Sequence, residues 1–209
     1  MKHNLLLRHA GAVVALSLGA LAFSVSAAEA AAAAVVAQTN SQRISDLSVY
    51  RLQSALVDQD GTSFKLEQLK GKPVIVSMFY NSCQFVCPML IDTLKMTGEA
   101  AGADSKTGLG FLLVSFDPAR DDVATLKSVA RAHALDPAQW TVARTDAVSV
   151  RKLAAVLRIQ YRLLPNGEFN HSTALILLDR EGRIIGRSDK LGAVDPEFLA
   201  QVKRALHDQ

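Results

Sequence analysis

Residues 74–88 read VIVSMFYNSCQFVCP, an apolar run that ends in a polar turn and is followed by a pair of cysteines. The run up to Tyr80 is short and rich in β-branched and aromatic residues, which is typical of a buried strand. Pro88 has the fixed φ and the missing N–H that the first turn of a helix tolerates. The stretch therefore predicts a strand, a loop that carries Cys83, and a helix whose N-terminus holds Cys87.

Cys83 and Cys87 are the only cysteines in the sequence. The unpaired N–H groups at a helix N-terminus carry partial positive charge, which should lower the pKa of the Cys87 thiol and favour the thiolate. A thiolate attacks disulfides and binds soft metal ions. Residues four apart in a helical turn lie about 6 Å apart on one side, which is also within reach of a disulfide. The pair alone leaves a reactive or metal-binding site, a structural disulfide and two buried apolar thiols as open interpretations.

The first 27 residues have the pattern of a signal peptide. Lys2 and Arg8 give a positively charged start, and residues 10–26 are apolar, rich in small residues and uncharged. Small residues at the end of this run form a cleavage pattern, so we expect cleavage after Ala27 and export to a bacterial-type periplasm. The alternative is an N-terminal membrane anchor facing the periplasm. The run favours it less, because a spanning helix wants roughly 20 strongly apolar residues.

The charge of the chain gives no sign of nucleic-acid binding. The whole chain has a net charge of +3, and without residues 1–27 it carries 21 basic against 20 acidic residues with no basic stripe. Residues 28–45 are rich in alanine and then polar, which predicts a disordered spacer. Residues 46–209 are long enough for a single domain with a sizeable core.

Strand patterns alternate with helical patterns along this domain. Apolar or alternating runs predict strands at 49–57, 74–80, 111–116, 140–143 and 173–178. Helical periodicity predicts helices at 89–101, 121–134, 150–157 and 195–206, the second of them with Asp121 and Asp122 at its start, where the dipole favours acids. Turn residues at 58–61 and 179–182 predict two hairpins. We therefore expect a thioredoxin-like α/β fold: a central mixed, mainly parallel sheet flanked by helices, with an N-terminal hairpin.

His171 is the histidine that this fold would bring near the cysteines. It stands directly before the strand predicted at 173–178. In a thioredoxin-like sheet the start of that strand lies beside the loop that holds the cysteines. His133 reads as a solvated helix end, and the other three histidines lie in the signal segment or the C-terminal turn. The order of elements leaves both a metal ligand and a loop histidine bonded to backbone open for His171.

The chain from about residue 48 to its end resembles the Sco/SenC family of copper-handling proteins with a thioredoxin fold. The matching segments are GKP at 71–73, FYNSCQFVCP at 79–88, SFDPARD at 115–121, and HS at 171–172 before a strand that ends at Asp179. The resemblance implies that Cys83, Cys87 and His171 bind one copper ion. Two thiolates and one imidazole suit the soft cuprous ion.

The resemblance also implies a function. It points to a periplasmic copper metallochaperone that assists assembly of a copper enzyme, such as the dinuclear copper centre of cytochrome c oxidase. The expected partners are a client such as an oxidase subunit and a thiol reductant protein. The mature form is expected to be a monomer that is soluble or loosely membrane-associated.

Two positions depart from the family pattern. Phe85 and Asn170 stand where the family tends to carry aspartate. A carboxylate beside a ligand histidine raises its basicity and fixes its tautomer, so a neutral Asn170 predicts a weaker or more exchangeable copper site.

Other functions would use the same cysteines. If the protein is an enzyme, we expect a thiol–disulfide oxidoreductase that attacks with Cys83, resolves with Cys87 and needs no metal. A peroxidase or a copper or redox sensor is a weaker alternative, because it rests on fold alone and fold does not fix function. The oxidoreductase does not need His171, whereas the metallochaperone does.

Overall fold

The stretch around the cysteines forms the strand–loop–helix unit that its residues predict. In the computed structural model, which describes residues 48–83, 85–103 and 108–207, the strand is Val74–Phe79 and the helix is Val86–Ala101. All six strand residues are buried, as expected for an apolar run without alternation. The predicted signal peptide at 1–27 and the predicted spacer at 28–45 lie outside the described residues, as do residues 46–47.

The described residues form nine strands and four α-helices. The strands are β1 Ala55–Asp58, β2 Ser63–Lys65, β3 Val74–Phe79, β4 Gly110–Ser115, β5 Trp140–Arg144, β6 Tyr161–Leu163, β7 Phe169–His171, β8 Leu175–Leu178 and β9 Ile184–Ser188. The helices are α1 Val86–Ala101, α2 Val123–Ala132, α3 Ala147–Val156 and α4 Pro196–His207. None of these helices is long and apolar enough to cross a membrane.

Seven of the strands form one mixed sheet in the order β2-β1-β5-β4-β3-β8-β9. The pairs β3–β4 and β4–β5 at its centre are parallel, and the outer pairs are antiparallel. The crossovers between the parallel strands contain α1 and α2, as a parallel pairing requires. The predicted α/β fold with its N-terminal hairpin is confirmed, and parallel pairing is confined to the three central strands.

The first predicted strand, 49–57, is wrong in its first half. Val49–Arg51 is instead a 3₁₀ turn, capped by Ser48, whose hydroxyl accepts the Tyr50 N–H at 3.1 Å. The Val49 N–H donates to the Gly182 carbonyl at 2.8 Å, far along the chain. Val49 and Tyr50 are buried by this distant contact, so their apolar character reflects docking of the turn and not a strand.

The pairing of β3 places three separate segments at one edge of the sheet. Because β4 runs parallel to β3 and β8 runs antiparallel to it, the end of β3, the end of β4 and the start of β8 meet there. The buried Ser77 hydroxyl donates to the Ala174 carbonyl at 2.7 Å and fixes the segment that enters β8. The residues that follow Phe79 and those that precede Leu175 are therefore brought together.

A close contact between α1 and the sheet depends on a glycine. Phe111 of β4 stacks on Trp140 of β5, with ring centroids 4.2 Å apart and planes 11° apart. A Cβ at Gly98 would lie 2.7 Å from the Phe111 Cζ, closer than any ordinary contact. Since the ring is held by Trp140, a side chain at position 98 must push the helix and the sheet apart.

We predict that Gly98→Ala destabilises the domain. Overpacking costs about 1–3 kcal/mol, and the better helix propensity of alanine offsets roughly 1 kcal/mol of it. The measurement is the free energy of unfolding from chemical denaturation. The exposed neighbour Glu99 supplies the control, because Glu99→Ala should leave stability nearly unchanged. A Gly98→Ala protein as stable as the control would contradict the packing argument.

Candidate metal centre

The loop after β3, the first turn of α1 and strand β7 bring sulfur and nitrogen donors together. The sulfur atoms of Cys83 and Cys87 and a ring nitrogen of His171 all lie within 4.8 Å of one another. Cys87 is buried at 4% exposure, whereas Cys83 and His171 are half-buried. The three residues predicted as copper ligands thus lie at one point of the structure, which solvent reaches on the side of Cys83 and His171.

Residues Tyr80–Cys83, named here the cysteine loop, lead from β3 towards α1. The Cys83 N–H donates to the Tyr80 carbonyl at 3.3 Å, which closes the turn. The Cys87 N–H donates to the Cys83 sulfur at 3.3 Å. The Cys83 sulfur therefore lies over the first turn of α1, as the spacing of the two cysteines predicts.

The prediction of a lowered pKa at Cys87 is wrong. Burial raises the pKa of the Cys87 thiol, and the neighbouring Cys83 and Asp121 raise this pKa further. The partial charge of the helix N-terminus is outweighed, because removing a thiolate from water costs more than a few partial charges return. The free Cys87 side chain is therefore a neutral thiol near pH 7, and a metal ion or a disulfide must displace its proton.

His171 is held by backbone and aromatic neighbours. Its Nδ1 lies 3.2 Å from the Ser172 carbonyl oxygen and 3.4 Å from the Thr173 hydroxyl. Its ring meets the Tyr80 ring edge-on, with centroids 5.6 Å apart, and the Phe116 ring at 5.0 Å. The loop-histidine interpretation and the ligand interpretation are thus compatible, since these contacts orient the ring beside the two sulfur atoms.

The two neutral positions of the site occupy different places. Phe85 is 83% exposed at the N-terminal end of α1. Asn170 is exposed in β7, and successive side chains of a strand point to opposite faces, so it leaves the hairpin on the side away from the His171 ring. The weaker copper site stays a prediction, and neither neutral side chain contacts a donor in a way that tests it.

Sequence reasoning missed a buried carboxylate that holds the cysteine loop. Asp121 is 1% exposed, and its Oδ2 accepts the Ser115 hydroxyl at 2.5 Å and the Asn81 N–H at 3.1 Å. Burial raises the pKa of this carboxyl. Asp122 does serve the helix start, because it accepts the Thr125 N–H at 2.8 Å as the N-cap of α2. The helix-start interpretation is therefore wrong for Asp121. The sequence signal that could have shown its role is the family-matching segment SFDPARD at 115–121.

Comparisons with known proteins agree with this geometry. ScoI of Bradyrhizobium japonicum, solved with copper bound, is 26% identical, with a TM-score of 0.61 over 73% of this chain and 96% of that chain. Arabidopsis thaliana ScoI with copper bound has a TM-score of 0.65 over 75% of this chain and 97% of that chain, and at 18% identity it supports the fold alone. A Stutzerimonas stutzeri protein named as a candidate copper-binding protein is 32% identical over 76 residues, which span 36% of this chain and 37% of that protein. The model of the SCO1/SenC family matches residues 48–207, which is most of the chain, and the protein therefore belongs to the SCO1/SenC family.

Proposed function

We propose that this protein is a copper metallochaperone that carries one copper ion on Cys83, Cys87 and His171. The observation that carries the proposal is the convergence of two sulfur atoms and one ring nitrogen within 4.8 Å. Soft sulfur donors with one imidazole select cuprous ion over harder divalent metals. ScoI of Bradyrhizobium japonicum, solved with copper bound, supports the same choice of metal.

The uneven burial of the three donors suits a cargo ion. Cys87 lies in the core, whereas Cys83 and His171 are half-buried and reached by solvent. An ion bound here would be held from one side, and a ligand from a partner could approach it from the other. We infer that copper transfer proceeds by exchange of Cys83 and His171 for donors of the client.

The client and the compartment form the finer part of the proposal. We propose that residues 1–27 direct export to the periplasm, that 28–45 form a spacer, and that 46–209 form the copper-binding domain. The client would be a copper enzyme such as cytochrome c oxidase, at its dinuclear copper centre, and a thiol reductant protein would keep the cysteines reduced. Family resemblance supports these assignments.

A thiol–disulfide oxidoreductase is the second candidate. It is favoured by the contact between the Cys87 N–H and the Cys83 sulfur at 3.3 Å and by the exposure of Cys83 relative to Cys87. An accessible attacking thiol with a buried resolving thiol is the arrangement that such an enzyme needs. His171 distinguishes the candidates, because disulfide exchange between two cysteines does not require it.

Copper titration of the reduced mature protein tests the first candidate. We expect one cuprous ion per chain by competition with a cuprous chelator, and X-ray absorption that shows sulfur neighbours. His171→Ala should weaken binding by more than the roughly 10- to 100-fold typical of losing an outer partner of a metal ligand. Cys83→Ala and Cys87→Ala should each abolish tight binding. His133→Ala is the matched control, since this histidine lies at the end of α2. Unchanged binding by His171→Ala, or copper without sulfur neighbours, would overturn the proposal.

Air oxidation tests the cysteine pair itself. We expect Cys83 and Cys87 to form an intramolecular disulfide, in which two thiols lose two protons and two electrons to oxygen and the S–S bond forms. Mass spectrometry should show the loss of two hydrogens in one peptide spanning both residues, and copper should no longer load. The single variants Cys83→Ser and Cys87→Ser cannot lose these hydrogens within one chain. Oxidation that yields only dimers linked between chains would contradict the expectation.

Intact-mass measurement tests the export proposal. We expect the protein recovered from the periplasmic fraction to begin at Ala28. A protein that retains residues 1–27 in the membrane fraction would favour the anchored alternative.

A further inference from the structure

The position of His171 depends on contacts other than the main sheet. Strands β6 and β7 pair with each other in a sheet of their own, and this unit, Tyr161–His171, is named here the histidine hairpin. Ser172 and Gln160 close its base, because the Ser172 N–H donates to the Gln160 carbonyl at 2.8 Å and the Gln160 N–H donates to the Ser172 hydroxyl at 2.9 Å. A lone two-stranded hairpin is only marginally stable in water. Side-chain contacts must therefore hold this one on the body of the domain.

An aromatic cluster supplies part of that hold. Phe116, which follows β4, stacks on Tyr161 with centroids 5.3 Å apart and meets Phe169 edge-on at 5.1 Å. The Phe116 N–H donates to the Phe79 carbonyl at 2.9 Å, which fixes the ring at the end of the main sheet. These contacts attach the hairpin to the end of the main sheet.

Tyr80 contacts both parts of the metal centre. Its carbonyl accepts the Cys83 N–H at 3.3 Å, so its backbone belongs to the cysteine loop. Its ring meets His171 edge-on, with planes at 90° and centroids 5.6 Å apart. Its hydroxyl donates to the Glu168 Oε2 at 2.8 Å, and the whole side chain is 4% exposed.

Glu168 lies at the opposite end of β7 from His171. Its carbonyl accepts the Leu164 N–H at 2.7 Å and its N–H donates to the Asn166 Oδ1 at 3.0 Å, so it is part of the turn that closes the hairpin. Tyr80 therefore holds the hairpin at two points, the ring at His171 and the hydroxyl at the turn. Two separated points resist rotation as well as displacement.

We infer that Tyr80 is the positioning residue that sets the histidine hairpin against the cysteine loop, through the directional bond between its hydroxyl and Glu168. The inference deepens the proposed copper function, because it names the residue that fixes the nitrogen donor relative to the two sulfur donors. The hydroxyl is the specific element, since phenylalanine could supply the ring contacts but not the bond.

The test compares four single variants and the double variant Tyr80→Phe/Glu168→Ala of the full mature protein, first without metal. Tyr80→Phe removes the bond from one end and Glu168→Ala from the other. Glu168→Gln keeps an oxygen that can accept the bond. Tyr161→Phe removes a hydroxyl from the same cluster that has no hydrogen bond among the described residues. The readout is hydrogen exchange at the Leu164 and Ser172 amides, with the Phe111 amide of the main sheet as reference.

We expect Tyr80→Phe and Glu168→Ala to speed exchange at the two hairpin amides by about 3- to 10-fold, the range set by one net hydrogen bond. The double variant should be no faster than either single one, and Glu168→Gln, Tyr161→Phe and the Phe111 amide should show no such change. If Tyr80→Phe speeds exchange at the hairpin amides no more than Tyr161→Phe does, the inference is overturned.

A second readout uses copper and the cysteines. Tyr80→Phe should weaken the nitrogen hyperfine signal of the cupric form and lower copper affinity by up to about 10-fold. The scattering of sulfur neighbours around copper should remain. The reduction potential of the Cys83–Cys87 pair should not change, whereas a general loosening of the domain would change it. If the wild-type protein binds no copper, the proposed function fails, and the exchange measurement still decides the role of Tyr80.

Discussion

The pairing of β3 is the constraint on which the rest of the structure depends. This strand is wholly buried, with a parallel neighbour on one side and an antiparallel neighbour on the other. A parallel neighbour must be reached through a crossover, so the first turn of α1 lies at the end of the sheet that carries the three donors. The antiparallel strand β8 starts at that same end, which places the segment that follows His171 beside the cysteine loop. Two sulfur atoms and one ring nitrogen can meet because one strand has both kinds of partner.

At this edge of the sheet, metal binding needs a thiolate whereas burial favours the neutral thiol. Burial determines the protonation of the metal-free site. Cys87 and Asp121 lie in the core, and burial raises the pKa of each group. Like charges brought close together in the core repel, so a second anion beside Asp121 is unfavourable. The free thiol avoids this repulsion by staying neutral. Copper binding needs the thiolate, whose charge the ion balances, and a disulfide carries no charge. Burial therefore keeps Cys87 protonated in the metal-free, reduced site until an ion or a disulfide displaces its proton.

The sequence revealed those parts of the structure whose causes are local. The unit from Val74 to Ala101 follows from an uninterrupted apolar run, a polar turn and a helical pattern. The 3₁₀ turn at Val49–Arg51 was misread as strand because its apolar side chains are buried by Gly182 and its neighbours, a contact with no trace in the local pattern. Asp121 was misread for a similar reason, since the partner that buries it, the Asn81 N–H, lies 40 residues away. The histidine hairpin was missed because three-residue strands are too short to show a period.

The two candidate functions compete for the same pair of sulfur atoms. A disulfide between Cys83 and Cys87 consumes both electron pairs that a copper ion would use, so oxidation and metal loading exclude each other at this site. His171 is not consumed by that oxidation, and its hairpin is held by Tyr80, Phe116 and Glu168 without using either cysteine side chain. The contacts that hold the nitrogen donor are therefore separate from the two sulfur atoms. Under the proposed copper function, reduction of such a disulfide would restore both sulfur donors beside a nitrogen donor that other residues already hold.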